Sequence, residues 1–101
     1  MKYDSLLPIG SVVKVQDFDP LLLVIGSNVS DPVSGRVYDY CACIYPAGYI
    51  SEDQIVSFDH AAIEEIYAVG YLDEESRTFQ HDAQELNQYL RDSEKGEAEN
   101  G

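Results

Sequence analysis

Basic residues are scarce in this chain: six Lys and Arg stand against nineteen Asp and Glu among 101 residues, a formal net charge of −13. Such a charge repels a phosphate backbone and an anionic membrane surface, so nucleic acid is not an expected ligand. Long apolar stretches are missing too. The longest aliphatic run, Leu21–Ile25, falls far short of the ~20 residues of a membrane helix, and no membrane insertion is expected. Met1-Lys2 leads into Tyr3, Asp4 and Ser5 rather than an apolar segment, which predicts no secretory signal and a cytoplasmic location. Cysteine is limited to Cys41 and Cys43. Two apart in a predicted strand, they share a face, are too constrained to bond to each other, and are expected as reduced thiols.

The motifs of common chemistries are absent as well. The chain has no phosphate-cradling Gly-rich loop, no Gly-x-Ser-x-Gly elbow, no His-Glu-x-x-His helix and no EF-hand loop. Cys41-x-Cys43 with His60 and His81 is the available thiol and imidazole set. Zinc sites present their cysteines on turns at wider spacing, so these two read as small buried hydrophobes. Nothing nearby supplies the low-pKa environment of a nucleophilic thiol. Carboxylate pairs such as Asp17/Asp19, Glu64/Glu65 and Glu74/Glu75 are plentiful, and in so acidic a chain that abundance makes them uninformative. No catalytic, cofactor-binding or metal-binding residue is assigned, and the expectation is a protein that is not an enzyme.

What the chain does contain is organised around Tyr38–Tyr49, a tyrosine-rich apolar stretch ending at Pro46-Ala47-Gly48. Its residue types suit a central strand over Val37–Tyr45, with Tyr38, Tyr40, Ala42 and Ile44 on one face. Ser11–Gln16 alternates as a half-buried strand, and Leu21–Ile25 reads as a strand covered on both sides. Asp17-Phe18-Asp19-Pro20 is the predicted turn between them, and Ser27–Arg36 a long mobile loop. A short strand over Gln54–Phe58, a helical turn at Asp59–Ala62 and a last strand over Ile66–Tyr71 follow. Asp73 caps a helix whose residues Phe79, Ala83, Leu86 and Leu90 recur at spacings of four, three and four, an apolar stripe expected to cover the sheet. The predicted fold is α+β: a bent antiparallel sheet of four or five strands, open or closed toward an SH3-like barrel, with one C-terminal helix. Residues 1–92 form the single domain, and 93–101 are predicted to be a disordered acidic tail.

Eight tyrosines accompany no tryptophan. Base stacking would need cations to hold the nucleic-acid backbone, and these are lacking. The rings either fill the space between sheet and helix or form a protein-binding surface, for which Tyr38, Tyr40, Tyr49 and Tyr71 are the candidates. The acidic second half is either a solvated face or a means of selecting a basic partner.

Four stretches carry a family resemblance: Leu6-Leu7-Pro8-Ile9-Gly10-Ser11-Val12-Val13, Tyr38-Asp39-Tyr40, Tyr45-Pro46-Ala47-Gly48-Tyr49, and Phe58-Asp59-His60 running on to Ile63, Ile66 and Gly70-Tyr71. In order and spacing they resemble a small family of unknown function from low-GC Gram-positive bacteria. That family sits in gene clusters for type VII secretion, beside small helical proteins and large LXG-class toxins. The resemblance implies a cytoplasmic chaperone or adaptor that binds a toxin or a small helical targeting protein before export. An immunity protein whose acidic surface blocks a toxin's basic active site is the alternative. No catalytic residues come with the resemblance.

Overall fold

Val12–Val15 (β1) and Phe18–Ser30 (β2) form a hairpin in which Val15 pairs with Phe18, leaving Gln16 and Asp17 as the turn. Asp17 takes the left-handed conformation, φ 61°, which Asp tolerates better than most residues. The turn predicted at Asp17–Pro20 is therefore shorter, and Phe18, Asp19 and Pro20 already belong to the strand. The computed structural model describes the backbone of residues 6–100 and the side chains of residues 6–93.

β2 also runs further than expected, to Ser30, and from Leu22 onward pairs with Val37–Ile44 (β3). The predicted loop Ser27–Arg36 shrinks to a turn closed by Asp31 N–H donating to Arg36 O at 2.8 Å. The Asp31 carboxylate accepts from Val33 N–H and from Ser34 Oγ, so the side chain organises a turn that composition alone reads as mobile. Val56–Phe58 (β4) pairs with β3, and Ile63–Ala68 (β5) pairs with β1 after a single 3-10 turn at His60–Ala62. β5 thus starts three residues before the predicted Ile66. All pairings are antiparallel, in the order β4-β3-β2-β1-β5. This is the strand order of an SH3-like barrel, bent through the long β2, with β4 and β5 as the sheet's edges.

The core sits within the bend. Val13, Val15, Leu22, Val24, Tyr40, Ala42, Phe58 and Ile63 supply it from all five strands, and Leu6, Leu7 and Ala83 close it. Full burial contributes roughly 1.5–3 kcal/mol for each large apolar side chain. Of the lead-in before the first turn, Leu6 and Leu7 are among the described residues, and both are buried. Pro8–Ser11 then turns across the end of β5. Ser11 Oγ donates to Pro8 O at 2.8 Å and accepts from Gly70 N–H at 3.0 Å. A Cβ at Gly70 would fall 1.9 Å from Ile9 O, so the close approach requires glycine.

Glu74–Asn100 forms the helix α1. Asp73 caps it as expected: its Oδ1 accepts Ser76 N–H and its own N–H donates to Ser76 Oγ, both at 2.8 Å. The helical backbone takes in 94–100, the stretch whose composition predicts disorder. The expected packing of the apolar stripe is corrected. Of Phe79, Ala83, Leu86 and Leu90, only Ala83 is buried, while Phe79 is 61% and Leu86 48% exposed. The face turned to the sheet is polar instead. Gln80 and Gln84 embrace the N-terminal segment, with Gln80 Nε2 donating to Leu6 O (2.6 Å) and Leu6 N–H donating to Gln84 Oε1 (2.9 Å). Those backbone groups lie beside the core and need partners that an apolar side chain cannot give.

Candidate functional site

Two features lie where α1 meets the sheet: a polar network and, next to it, an apolar cleft. The network is built from Asp39 on β3, Asp59 ahead of the 3-10 turn, and Asn87 and Arg91 on α1. Arg91 donates to Asp39 Oδ1 (2.5 Å) and Asp59 Oδ1 (2.7 Å), and Asn87 donates to Asp39 Oδ1 (2.7 Å) and Asn28 Oδ1 (2.9 Å). Asn28 in turn donates to Ala83 O at 3.0 Å. His60 N–H donates to Asp39 Oδ2, Asp39 N–H to Asp59 Oδ1, and Arg36 to Asp59 Oδ2. Burial alone would push the Asp39 carboxyl up, but the His60 N–H, Arg91 and Asn87 outweigh it and hold it below the usual carboxylate range. The bond to Asp39, followed by that to Asp59, keeps Arg91 more firmly protonated than an ordinary guanidinium.

Tyr40 joins this network to the core. Its phenol accepts Leu7 N–H at 2.8 Å and lies 2.6 Å from His60 Nδ1. The phenol thus ties the N-terminal segment and the 3-10 turn to β3. The bonds just described join β2, β3, the 3-10 turn, the N-terminal segment and α1 to one another.

The cleft has a volume of about 580 Å³ and opens between the N-terminal segment, β2 and the start of α1. Leu6, Pro8, Ile9, Ile25, Tyr71 and Phe79 give it an apolar lining, to which Asp73 and Glu75 add two carboxylates. Ile25 reaches it through a bulge. Val24 pairs with Ala42 and Gly26 with Cys41, so Ile25 is the extra residue on β2. Bulges commonly re-aim a side chain in this way. Ile9, Ile25, Tyr71 and Phe79 are all exposed, and clustered apolar side chains open to solvent mark interaction surfaces.

The sequence candidates fall in different places. Tyr40 is fully buried against Phe58 and takes no part in any surface. Tyr38 is half-buried under the Arg36 guanidinium, 4.6 Å from its ring centre, and lines a separate hollow near Pro32 and Ile55. Tyr49 is exposed and lines neither hollow, whereas Tyr71 stands at the cleft. The four therefore do not form one patch. Sequence reasoning missed Ile9, Ile25 and the outward Phe79. Their signal was available in part, as a helical stripe and an apolar run, but not their exposure. Cys41 and Cys43 are free, and burial pushes the Cys41 thiol up, with Cys43 adding to it. Among the described residues, the group of three side chains close enough to share a metal is His81, Asp82 and Glu85, all exposed and without either cysteine.

Fold and site together define a small α+β domain whose sheet and helix are joined by a polar network beside an open apolar cleft. The chain belongs to the family described as domain of unknown function (DUF4176), whose model matches residues 6–79. No curated protein and no solved structure matches the chain. The matched region holds Ser11 and Gly70, Tyr40, Asp39, Asp59 and His60, and stops before Asn87 and Arg91. Among the described residues, no helix is long and apolar enough to cross a membrane.

Proposed function

We propose that this protein is a non-catalytic protein-binding accessory protein and that its partner docks in the apolar cleft. The observation that carries the reading is the gathering of Ile9, Ile25, Tyr71 and Phe79, all exposed, around one hollow. Concave apolar surfaces are suited to partners. The company kept by the type VII family that the chain resembles makes that partner a toxin of the LXG class or the small helical protein beside it. In this role the protein is a cytoplasmic chaperone or adaptor acting before export. The net charge of −13 also suits an immunity protein covering a toxin's basic active site.

Co-expression of the tagged protein with the proteins encoded on either side of its gene tests this. Stable recovery of a toxin or small helical protein supports the accessory reading. Toxin truncations then separate the two roles, since an adaptor binds the N-terminal secretion region and an immunity protein the C-terminal toxic domain. A lone monomer at low and moderate salt contradicts both. Turnover that disappears on changing Asp39 or His60 would contradict the non-catalytic assignment.

A further inference from the structure

The outer flank of α1 is apolar and periodic. Phe79 and Leu86 are exposed and seven positions apart, which on a helix is two turns, or about 10.5 Å along the axis. Leu90 follows four residues later and is half-buried. Spacing of seven and four makes a heptad seam, of which the sheet uses only the inward Ala83. Along the seam's outer side run Glu75 and Asp82, again seven apart and both exposed. The helical period places Arg77 on another side of α1, and Arg91 is committed to Asp39 and Asp59. Phe79 belongs both to this seam and to the cleft, so the two form one surface.

We propose that this flank receives an amphipathic helix of a partner protein, one carrying Lys or Arg beside its own apolar seam. The proposal rests on the protein-binding reading and specifies the partner's chemistry. A strand is a poor occupant of this flank, because Phe79 and Leu86 stand on α1, whose backbone groups are paired within the helix and offer no edge for augmentation. A helix presenting apolar residues at i and i+7 matches Phe79 and Leu86 in spacing. The acidic row decides the partner's charge. A second copy would set Glu75 and Asp82 against the same residues, whereas a Lys- or Arg-flanked helix places opposite charges there.

Three labelled probe peptides of about three heptads test the inference by fluorescence anisotropy. One has Leu at the seam and Lys beside it, one has Leu with Glu, and one is the Lys peptide in scrambled order. The folded protein is expected to bind the first with 1:1 stoichiometry, about tenfold or more tighter than the other two. Leu86→Glu is expected to remove that binding with an unchanged thermal melt, and the pair Glu75→Lys with Asp82→Lys to reverse the preference between Lys and Glu peptides. Equal binding of the scrambled peptide, retained binding by Leu86→Glu, or no binding of the Lys peptide overturns the proposal. So does a dimer of the protein that Leu86→Glu dissociates, which assigns the flank to a second copy. Recovery of a co-expressed neighbour that survives Leu86→Glu overturns this surface while leaving the accessory reading intact. Failure of the wild type to recover any neighbour removes the reading itself.

Discussion

On its inner side α1 meets the N-terminal segment through Gln80 and Gln84 and the sheet through Asn87 and Arg91, with Ala83 as its buried side chain among the described residues, whereas its outer flank shows Phe79 and Leu86 to solvent. The sheet behaves in the opposite way, enclosing Leu22, Val24 and Tyr40 completely. Apolar burial therefore stabilises the strands, and directional polar bonds position the helix. A helix that spends its polar side chains on attachment is left with an apolar face for something else. This contrast is the physical basis of the functional proposal, and each part of it can be altered separately.

The same substitution in the two regions should give opposite results. Leu22→Ala removes a fully buried side chain and is expected to cost about 3–4 kcal/mol in a denaturant melt. Leu86→Ala, on the flank, should stay within about 0.5 kcal/mol of wild type. Arg91→Met comes next in size. It leaves the Asp39 and Asp59 carboxylates facing each other without their shared cation, at about 2–3 kcal/mol, below the cost for a fully buried pair because all three groups retain some exposure. Tyr40→Phe keeps the ring but leaves Leu7 N–H and His60 Nδ1 without the phenol, which chemical denaturation should register as about 1–2 kcal/mol.

Acid should loosen the helix attachment. Asp39 gives up its proton more readily folded than unfolded, so its stabilising contribution is complete above the ordinary carboxylate value of about 4 and is lost as pH falls through the lower folded pKa. Stability measured against pH should drop in that acidic window, and Asp39→Asn should flatten the drop. A curve with the same acid limb in Asp39→Asn would assign the effect to other carboxylates.

The strand framework was legible because alternation and turn residues report local geometry. β1, β3 and the capped start of α1 lie close to their predicted positions. The hairpin at Gln16-Asp17 was missed because nothing local distinguishes a left-handed Asp17 from the Asp-Pro turn beside it. The orientation of α1 was missed for a different reason. Its period reveals an apolar stripe at Phe79, Ala83, Leu86 and Leu90 but not what that stripe meets. The inward choice is made by distant groups: Leu6 N–H and C=O, Asn28, Asp39 and Asp59. Tyr40 was open between core and surface for the same reason, since Leu7 and His60, which hold its hydroxyl, are remote in the chain.

The separation of attachment from binding surface is tested most directly by melting the double variant Phe79→Glu, Leu86→Glu beside wild type. The account predicts a folded protein with an unchanged melt, because two charges added to the outer flank disturb neither the core nor the Asp39–Arg91–Asp59 network. A collapse of the melt would place Phe79 and Leu86 in the structural core and contradict it.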